Sequence, residues 1–179
     1  MAVVNTLSAT LTGFLTNPPT RVVPGKGGGA REYTVSESVA IAAADDDTST
    51  FRVCRVHSSW ILKSIKAFCT AVTGGTDYDV GLYDIDGGAV VDADLYADGV
   101  SFATAAPAVP PTAAANDGIE LRFGDAATAI PGDVNSRVWE DIGGLTADPN
   151  KFYDLVLTAN TVGTGAGTVA LVVRYNAGS

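Results

Sequence analysis

The sequence predicts an all-β fold: a single antiparallel β-sandwich domain, jelly-roll-like, with one short helix and an extended N-terminal arm. Hydrophobic residues make up 46% of the 179 residues and charged residues only 17%, while glycine occurs 20 times. This composition is typical of a sheet protein with many tight turns. Short alternating runs separated by Gly- and Asp-rich turns favour antiparallel strands, and no βαβ alternation is present.

Residues 1–30 are predicted to form the arm and residues 31–179 the sandwich domain. The first 31 residues contain no Asp or Glu but carry three basic residues, a net charge of +3. The rest of the chain holds eight basic and 20 acidic residues, a net charge of −12. Adjacent prolines at 18 and 19 and a Gly-rich stretch at 25–29 disfavour regular structure in the arm.

Such an arm cannot build a core alone, but it can lie extended across another protein and become ordered on contact. A disordered leader is the alternative. We expect the apolar side chains of the arm to supply most of the affinity and its cations to steer the approach. The candidate contact residues are Leu11, Phe14, Leu15, Arg21, Lys26 and Arg31.

The first predicted strand has Tyr33, Val35, Val39 and Ile41 on one face, and the aspartates at 45–47 form a turn after it. A β-rich run follows, and then a strand whose apolar residues fall on both faces, which indicates cover on both sides for part of its length. The two strands are Phe51–Val56 and Trp60–Cys69.

The two cysteines, Cys54 and Cys69, lie in these neighbouring strands. If Phe51–Val56 and Trp60–Val72 form a hairpin, the two thiols lie beyond disulfide reach. We therefore expect two buried free thiols.

In the middle of the chain, Tyr78, Val80 and Leu82 alternate with Asp and Gly, which predicts a half-buried strand. The segment Ala89–Gly99 is predicted to be a short helix or an irregular crossing, followed by a short strand at Val100–Phe102. The remaining predicted elements are a loop at Ala103–Asn116, a strand at Ile119–Phe123, a short helix within Asn135–Ile142, and a terminal hairpin of Tyr153–Ala159 with Val169–Tyr175.

The sequence carries no clear catalytic or metal-binding motif. His57 lies beside two serines, but a nucleophilic site also needs a converging acid, and no Gly-X-Ser-X-Gly motif is present. Asp84, Asp86, Asp92 and Asp94 could offer oxygen ligands to calcium, although their spacing does not fit an EF-hand loop. We expect no enzyme activity, no cofactor and no metal, with calcium binding at these aspartates as the open alternative.

The acidic balance disfavours two classes of partner. A net charge of −9 repels phosphate backbones and anionic lipid headgroups, so we expect neither a nucleic-acid nor a membrane partner. No apolar run approaches the roughly 20 residues that a membrane-spanning helix needs, and we expect no signal peptide.

Three stretches of the sequence together resemble head decoration, or cement, proteins of tailed bacteriophages. They are Ala42–Asp47 leading into Phe51–Val56, Thr73–Tyr83 running on through Gly87–Asp94, and Asp148–Asn150 with Tyr153–Gly163. The resemblance covers roughly Val39 to Tyr175. These motifs have no catalytic meaning, so no residue with a chemical role is carried over.

The resemblance implies a β-sandwich domain on the outer surface of a virion capsid, assembled as a homotrimer and made in the host cytoplasm. The implied partner is the major capsid protein, and the implied role is structural. It would decorate and stabilise the capsid by bridging neighbouring capsid subunits. The alternative is a phage host-recognition module of a fibre or tail that binds carbohydrate, and a hydrolase is a third possibility without a supporting motif.

Overall fold

The computed structural model describes residues 31–105, 118–122 and 135–177. The described residues form eight β-strands and one helical turn: β1 (Glu32–Ile41), β2 (Thr50–His57), β3 (Ile61–Cys69), β4 (Asp77–Asp84), β5 (Val90–Val100), β6 (Ile119–Glu120), α1 (Val138–Asp141), β7 (Phe152–Thr161) and β8 (Gly167–Asn176). The predicted arm lies outside the described residues, together with its candidate contact residues Leu11, Phe14, Leu15, Arg21 and Lys26.

The strands form two antiparallel sheets of four strands each. The first sheet has the order β1-β8-β3-β6 and the second sheet the order β2-β7-β4-β5. Of the consecutive strands, only β4 and β5 are hydrogen-bonded neighbours, because the other connections cross from one sheet to the other. This is the strand order of a jelly roll, and it confirms the predicted all-β sandwich.

The core lies between the two sheets and is built from alternate strand residues. Leu171 and Val173 of β8 face inward from the first sheet, and Leu155 and Leu157 of β7 face inward from the second. All four are at most 1% exposed. Burying each such side chain contributes about 1.5–3 kcal/mol, so the alternating runs supply much of the stability of the sandwich.

Both hairpins considered in the sequence analysis are absent. The strands β2 and β3 lie in different sheets, where β2 pairs with β7 and β3 pairs with β8 and β6. The strands β7 and β8 are likewise separated, because β7 lies between β2 and β4 and β8 lies between β1 and β3. Alternation along one strand fixes which face is buried, but a short turn can equally well lead across the sandwich to the other sheet.

The segment predicted to be a short helix or an irregular crossing is the strand β5. Its pairing with β4 is irregular, since Val80 pairs with Ala97 but Leu82 pairs with Asp92. The additional residues of β5 bulge over β4, and a Cβ added to Gly81 would lie 2.0 Å from the carbonyl oxygen of Asp92. The centre of β4 is consequently covered on both faces, so the prediction of a half-buried strand was wrong.

Other predictions are confirmed. No residue of β3 is exposed, as expected for a strand covered on both sides. The predicted short helix is the single turn α1, at whose start the Arg137 N–H donates to the Glu140 carboxylate. Cys54 and Cys69 form no disulfide with each other; Cys69 is buried as expected, whereas Cys54 is only partly buried. Burial, reinforced by Glu37 and Asp154, raises the pKa of Cys54 to about 12, which disfavours the reactive thiolate.

Candidate docking surface

Five aromatic side chains form a continuous row at one end of the sandwich. Tyr33 stacks on Tyr175 with ring centroids 5.6 Å apart, and Tyr175 stacks on Trp60 at 3.9 Å. Trp60 meets Phe152 edge-on at 6.3 Å, and Phe152 meets His57 edge-on at 4.7 Å. We call these five residues the aromatic row. Offset-stacked and edge-to-face pairs of this kind are favourable beyond the burial of their area.

The strand pairing explains why these residues meet. Tyr33 of β1 lies opposite Tyr175 of β8 in the first sheet. His57 of β2 lies opposite Phe152 of β7 in the second sheet. Trp60 follows the turn that carries the chain from β2 to β3, so it lies between the two pairs and joins them.

Two rings of the aromatic row are exposed to solvent. Tyr33 is 40% exposed and Phe152 is 44% exposed, while Tyr175, Trp60 and His57 are partly buried. Large aromatic residues are enriched at the centres of protein interfaces, where they bury much area at little entropic cost. The aromatic row is therefore an anchored surface that a partner could cover.

Hydrogen bonds hold the turn beneath the row in place. The Ser58 N–H donates to the Lys151 carbonyl at 2.9 Å, and the Lys151 N–H donates to Ser58 Oγ at 3.1 Å. The Ser58 hydroxyl donates to Asp148, and this bond holds the pKa of the Asp148 carboxyl below its usual value. The Trp60 N–H donates to the His57 carbonyl at 3.0 Å. These hydrogen bonds therefore hold the backbone next to His57, Trp60 and Phe152 in place.

The arrangement around His57 does not form a catalytic triad. Its Nδ1 accepts a hydrogen bond from the Ser59 N–H at 3.2 Å and lies 2.9 Å from Ser59 Oγ. The nearby carboxylate, Asp148, instead accepts from Ser58. The serine that meets the imidazole and the serine that meets the acid are therefore different residues, whereas a triad needs one connected chain.

A cluster of ion pairs lies on the outer face of the second sheet. Asp154 accepts from Arg52 at 2.9 Å and from Arg55 at 2.8 Å. Burial alone would raise the pKa of Asp154, but hydrogen bonds from Arg55 and Arg52 outweigh it, so the pKa lies below its usual value. Arg55 also reaches Asp86 at 3.1 Å. A separate ion pair joins Lys151 to Asp84 at 2.7 Å.

Two of the aspartates considered for calcium, Asp84 and Asp86, thus have basic partners. The other two, Asp92 and Asp94, lie on β5, and the pKa of Asp92 is raised by burial and by its hydrogen bond to Asp94. Within residues 31–105, 118–122 and 135–177, no group of three or more His, Cys, Asp or Glu could hold a metal ion. The described residues also contain no helix long and apolar enough to cross a membrane.

The described part of the chain contains only one of the predicted contact residues, Arg31, which is exposed directly before β1. The sequence pattern does not predict the aromatic row, and it places Trp60 at the start of a strand that is covered on both faces. A usable signal was present, because Tyr33, Trp60, Phe152 and Tyr175 all lie within two residues of a strand end. Aromatic residues at strand ends of a sandwich can meet at its rim.

No protein-family model matches the chain, and no curated protein matches its sequence. Among solved structures, the fold is similar to a chain described as "Cyanophage Pam1 capsid asymmetric unit", with a TM-score of 0.48 and 16% sequence identity. The similarity covers 90% of this chain and 95% of that chain. A likeness of this size establishes no functional relationship.

Proposed function

We propose that this protein is a structural virion protein that decorates and stabilises a bacteriophage capsid from outside by bridging neighbouring capsid subunits. The observation that supports this role best is the aromatic row, an anchored surface at one end of a rigid sandwich in which Tyr33 and Phe152 are exposed. The sequence resemblance to head decoration proteins points in the same direction. The role is mechanical, not catalytic.

The physical basis of the role is the loss of contacts when capsid subunits separate. A protein that spans a junction must give up its contacts before the junction opens, so it resists the internal pressure of packaged DNA. Many copies act together, so each contact can be modest. The net charge of −12 outside the first 31 residues would keep the sandwich domains soluble and weaken their association before they meet the capsid.

The partner in this proposal is the major capsid protein, and the contact surface includes the aromatic row. The basic segment before β1, with Arg31 at its end, would add electrostatic steering toward acidic patches of the capsid. The trimer that the resemblance implies remains a prediction.

The proposal is tested by adding the purified protein to capsids of its phage that were prepared without it. The double variant Tyr33→Ala/Phe152→Ala removes the two exposed rings of the aromatic row. We expect its affinity for capsids to fall at least about tenfold, the size of effect that exposed aromatic anchors commonly carry. The amount of bound protein after sedimentation of the capsids measures this affinity.

The matched control is the double variant Val90→Ala/Leu145→Ala, which truncates two other exposed apolar side chains, 56% and 38% exposed, outside the row. It should bind as the wild type does. If the Tyr33/Phe152 variant remains folded and decorates capsids at wild-type affinity, the row is not the docking surface. If the wild type itself fails to bind, the decorating role is wrong.

A second candidate function is recognition of carbohydrate, because exposed aromatic rings with neighbouring hydroxyl groups also suit a sugar ring. Phe152 is 44% exposed and adjoins His57, whose Nδ1 lies 2.9 Å from the Ser59 hydroxyl. Binding of host surface glycans that the Phe152→Ala change abolishes, together with no binding to capsids, would favour this function over decoration.

A further inference from the structure

The strand β1 lies at an edge of the first sheet. Among the residues that the structure describes, it pairs with β8 alone, over ten residues from Glu32 to Ile41. Most of its residues are exposed, including Tyr33 and Glu37, which lie on the face that points toward the core. An edge strand of this length presents a row of backbone groups to which another strand can add.

The hydrogen-bond pattern identifies which backbone groups of β1 face this open edge. The Thr70 N–H donates to the Thr168 carbonyl at 3.0 Å, so the backbone of Thr168 points toward β3. Successive residues of an antiparallel strand bond to opposite neighbours, so the odd-numbered residues of β8 bond to β1. Their partners on β1 are also odd-numbered. The outward-facing groups therefore belong to Glu32, Thr34, Ser36, Ser38 and Ala40.

We propose that β1 pairs with β1 of a second copy of this chain, antiparallel, about a two-fold axis at Ser36. This register places Ser36 opposite itself, Thr34 opposite Ser38 of the partner subunit, and Glu32 opposite Ala40 of the partner subunit. Every outward-facing N–H and C=O of the strand then meets one from the other copy. The two first sheets join into one continuous sheet of eight strands. This pairing does not rest on the proposed function.

The side chains fit this register on the core-facing side as well. Tyr33 comes to lie opposite Val39 of the partner subunit, an aromatic with a β-branched residue, which is a favourable cross-strand pair. Val35 comes to lie opposite Glu37 of the partner subunit. A shift of the axis to residue 37 would set the two Glu37 carboxylates directly against each other, and like charges in that position are destabilising. The sequence of β1 therefore favours the Ser36 register over the register centred on residue 37.

Glu37 also limits the strength of the pairing. In the Ser36 register the two Glu37 residues are diagonal neighbours, within about 7–8 Å of each other. Both chains are acidic, so they repel each other at low ionic strength. The pair is expected to be weak and to strengthen as salt screens these charges. Inward-pointing charges on an edge strand are a known restraint on uncontrolled association.

The test measures the mass of the full-length protein in solution by light scattering over a series of concentrations at low and high salt. We expect the mass to rise from one chain toward two as concentration increases, and more readily at high salt. Glu37→Gln should lower the dissociation constant at least about threefold, because it removes two repelling charges from the junction.

Two further variants locate the contact. Ser36→Lys sets two cations against each other at the axis, and we expect at least about a tenfold higher dissociation constant, given the short range of the repulsion. Thr146→Lys adds the same charge in the exposed loop after α1 and should behave as the wild type does. Circular dichroism confirms that each variant is folded.

Three results would overturn the proposal. One is a mass of one chain for both the wild type and Glu37→Gln at every concentration and salt level. Another is association that Ser36→Lys does not weaken. The third is a mass of three chains, which would favour the trimer that the sequence resemblance implies.

Discussion

Asp154 shows how a single carboxylate organises the outer face of the second sheet. Its side chain is only 9% exposed, and each of its oxygens accepts a hydrogen bond from a different arginine of β2. One of these, Arg52, also donates to the carbonyls of Asp84 and Gly88. Asp154 therefore holds Arg52 in place, and the hydrogen bonds of Arg52 attach the β4–β5 connection to the second sheet.

Asp154→Asn should lower the free energy of unfolding at pH 7 by about 1–2 kcal/mol, since two charge-assisted hydrogen bonds lose their ionised acceptor. The folded-state pKa of Asp154 lies below its usual value. A depressed carboxyl pKa stabilises the fold at pH values above the unfolded pKa of about 3.9, and this contribution is lost as pH falls through the folded pKa. Urea unfolding of the variant and the wild type between pH 7 and pH 2 should therefore show a difference that shrinks in acid.

The control for this comparison is Asp86→Asn, since the Asp86 side chain is 76% exposed and its pair with Arg55 is screened by water. That change should cost less than about 0.5 kcal/mol. A difference between Asp154→Asn and the wild type that stays constant down to pH 2 would show that charge does not explain the effect.

At the scale of the element, the sequence predicts strands better than it predicts their partners. Alternation identified β1, β4, β7 and β8, because each buries one face against the core or carries a clear apolar run. Pairing depends on contacts between residues far apart in the chain, which periodicity does not encode. The strand β5 was missed because its Ala, Asp and Gly residues carry little strand propensity, and its pairing to β4 holds it in place.

The aromatic row was missed for the same reason. Tyr33 meets Tyr175 and His57 meets Phe152 through strand pairs that join distant parts of the chain. The sequence predicts a strand that begins at Trp60, whereas Trp60 lies just before β3 and is partly buried. Residue types suggested a surface for attachment only in the basic arm, which lies outside the described residues.

Because β5 packs closely on β4, we expect no side chain to be tolerated at Gly81 without a loss of stability. A Cβ at this position would lie 2.0 Å from the Asp92 carbonyl oxygen and 2.4 Å from Ala93 backbone atoms, none of which can rotate away. Gly81→Ala should therefore destabilise the protein by about 2 kcal/mol or more through displacement of β5. Thermal unfolding followed by circular dichroism measures the change.

Gly143→Ala provides the comparison, because a Cβ added there has no atom within 4 Å among the described residues. This change should leave the unfolding temperature within about 1–2 °C of the wild type. Equal effects at both glycines would contradict the close packing of β5 on β4.

At the scale of the whole molecule, the acidic charge of the sandwich and the position of its exposed aromatic rings suggest which surface attaches to a partner. The residues after position 31 carry a net charge of −12 and form a sandwich whose core is closed by well-packed apolar residues. The exposed aromatic rings gather at one end, where β2 leads into β3. An acidic body with an aromatic end is suited to attach by that end, while its charge weakens association with other copies elsewhere.

The central claim is that the end carrying the aromatic row faces the capsid. Electron cryomicroscopy of decorated capsids, at a resolution that separates the two sheets, tests it most directly. The account predicts that Tyr33 and Phe152 lie in the contact with the major capsid protein, at junctions between subunits. A map in which the sandwich attaches by another surface and the aromatic row faces solvent would contradict the account.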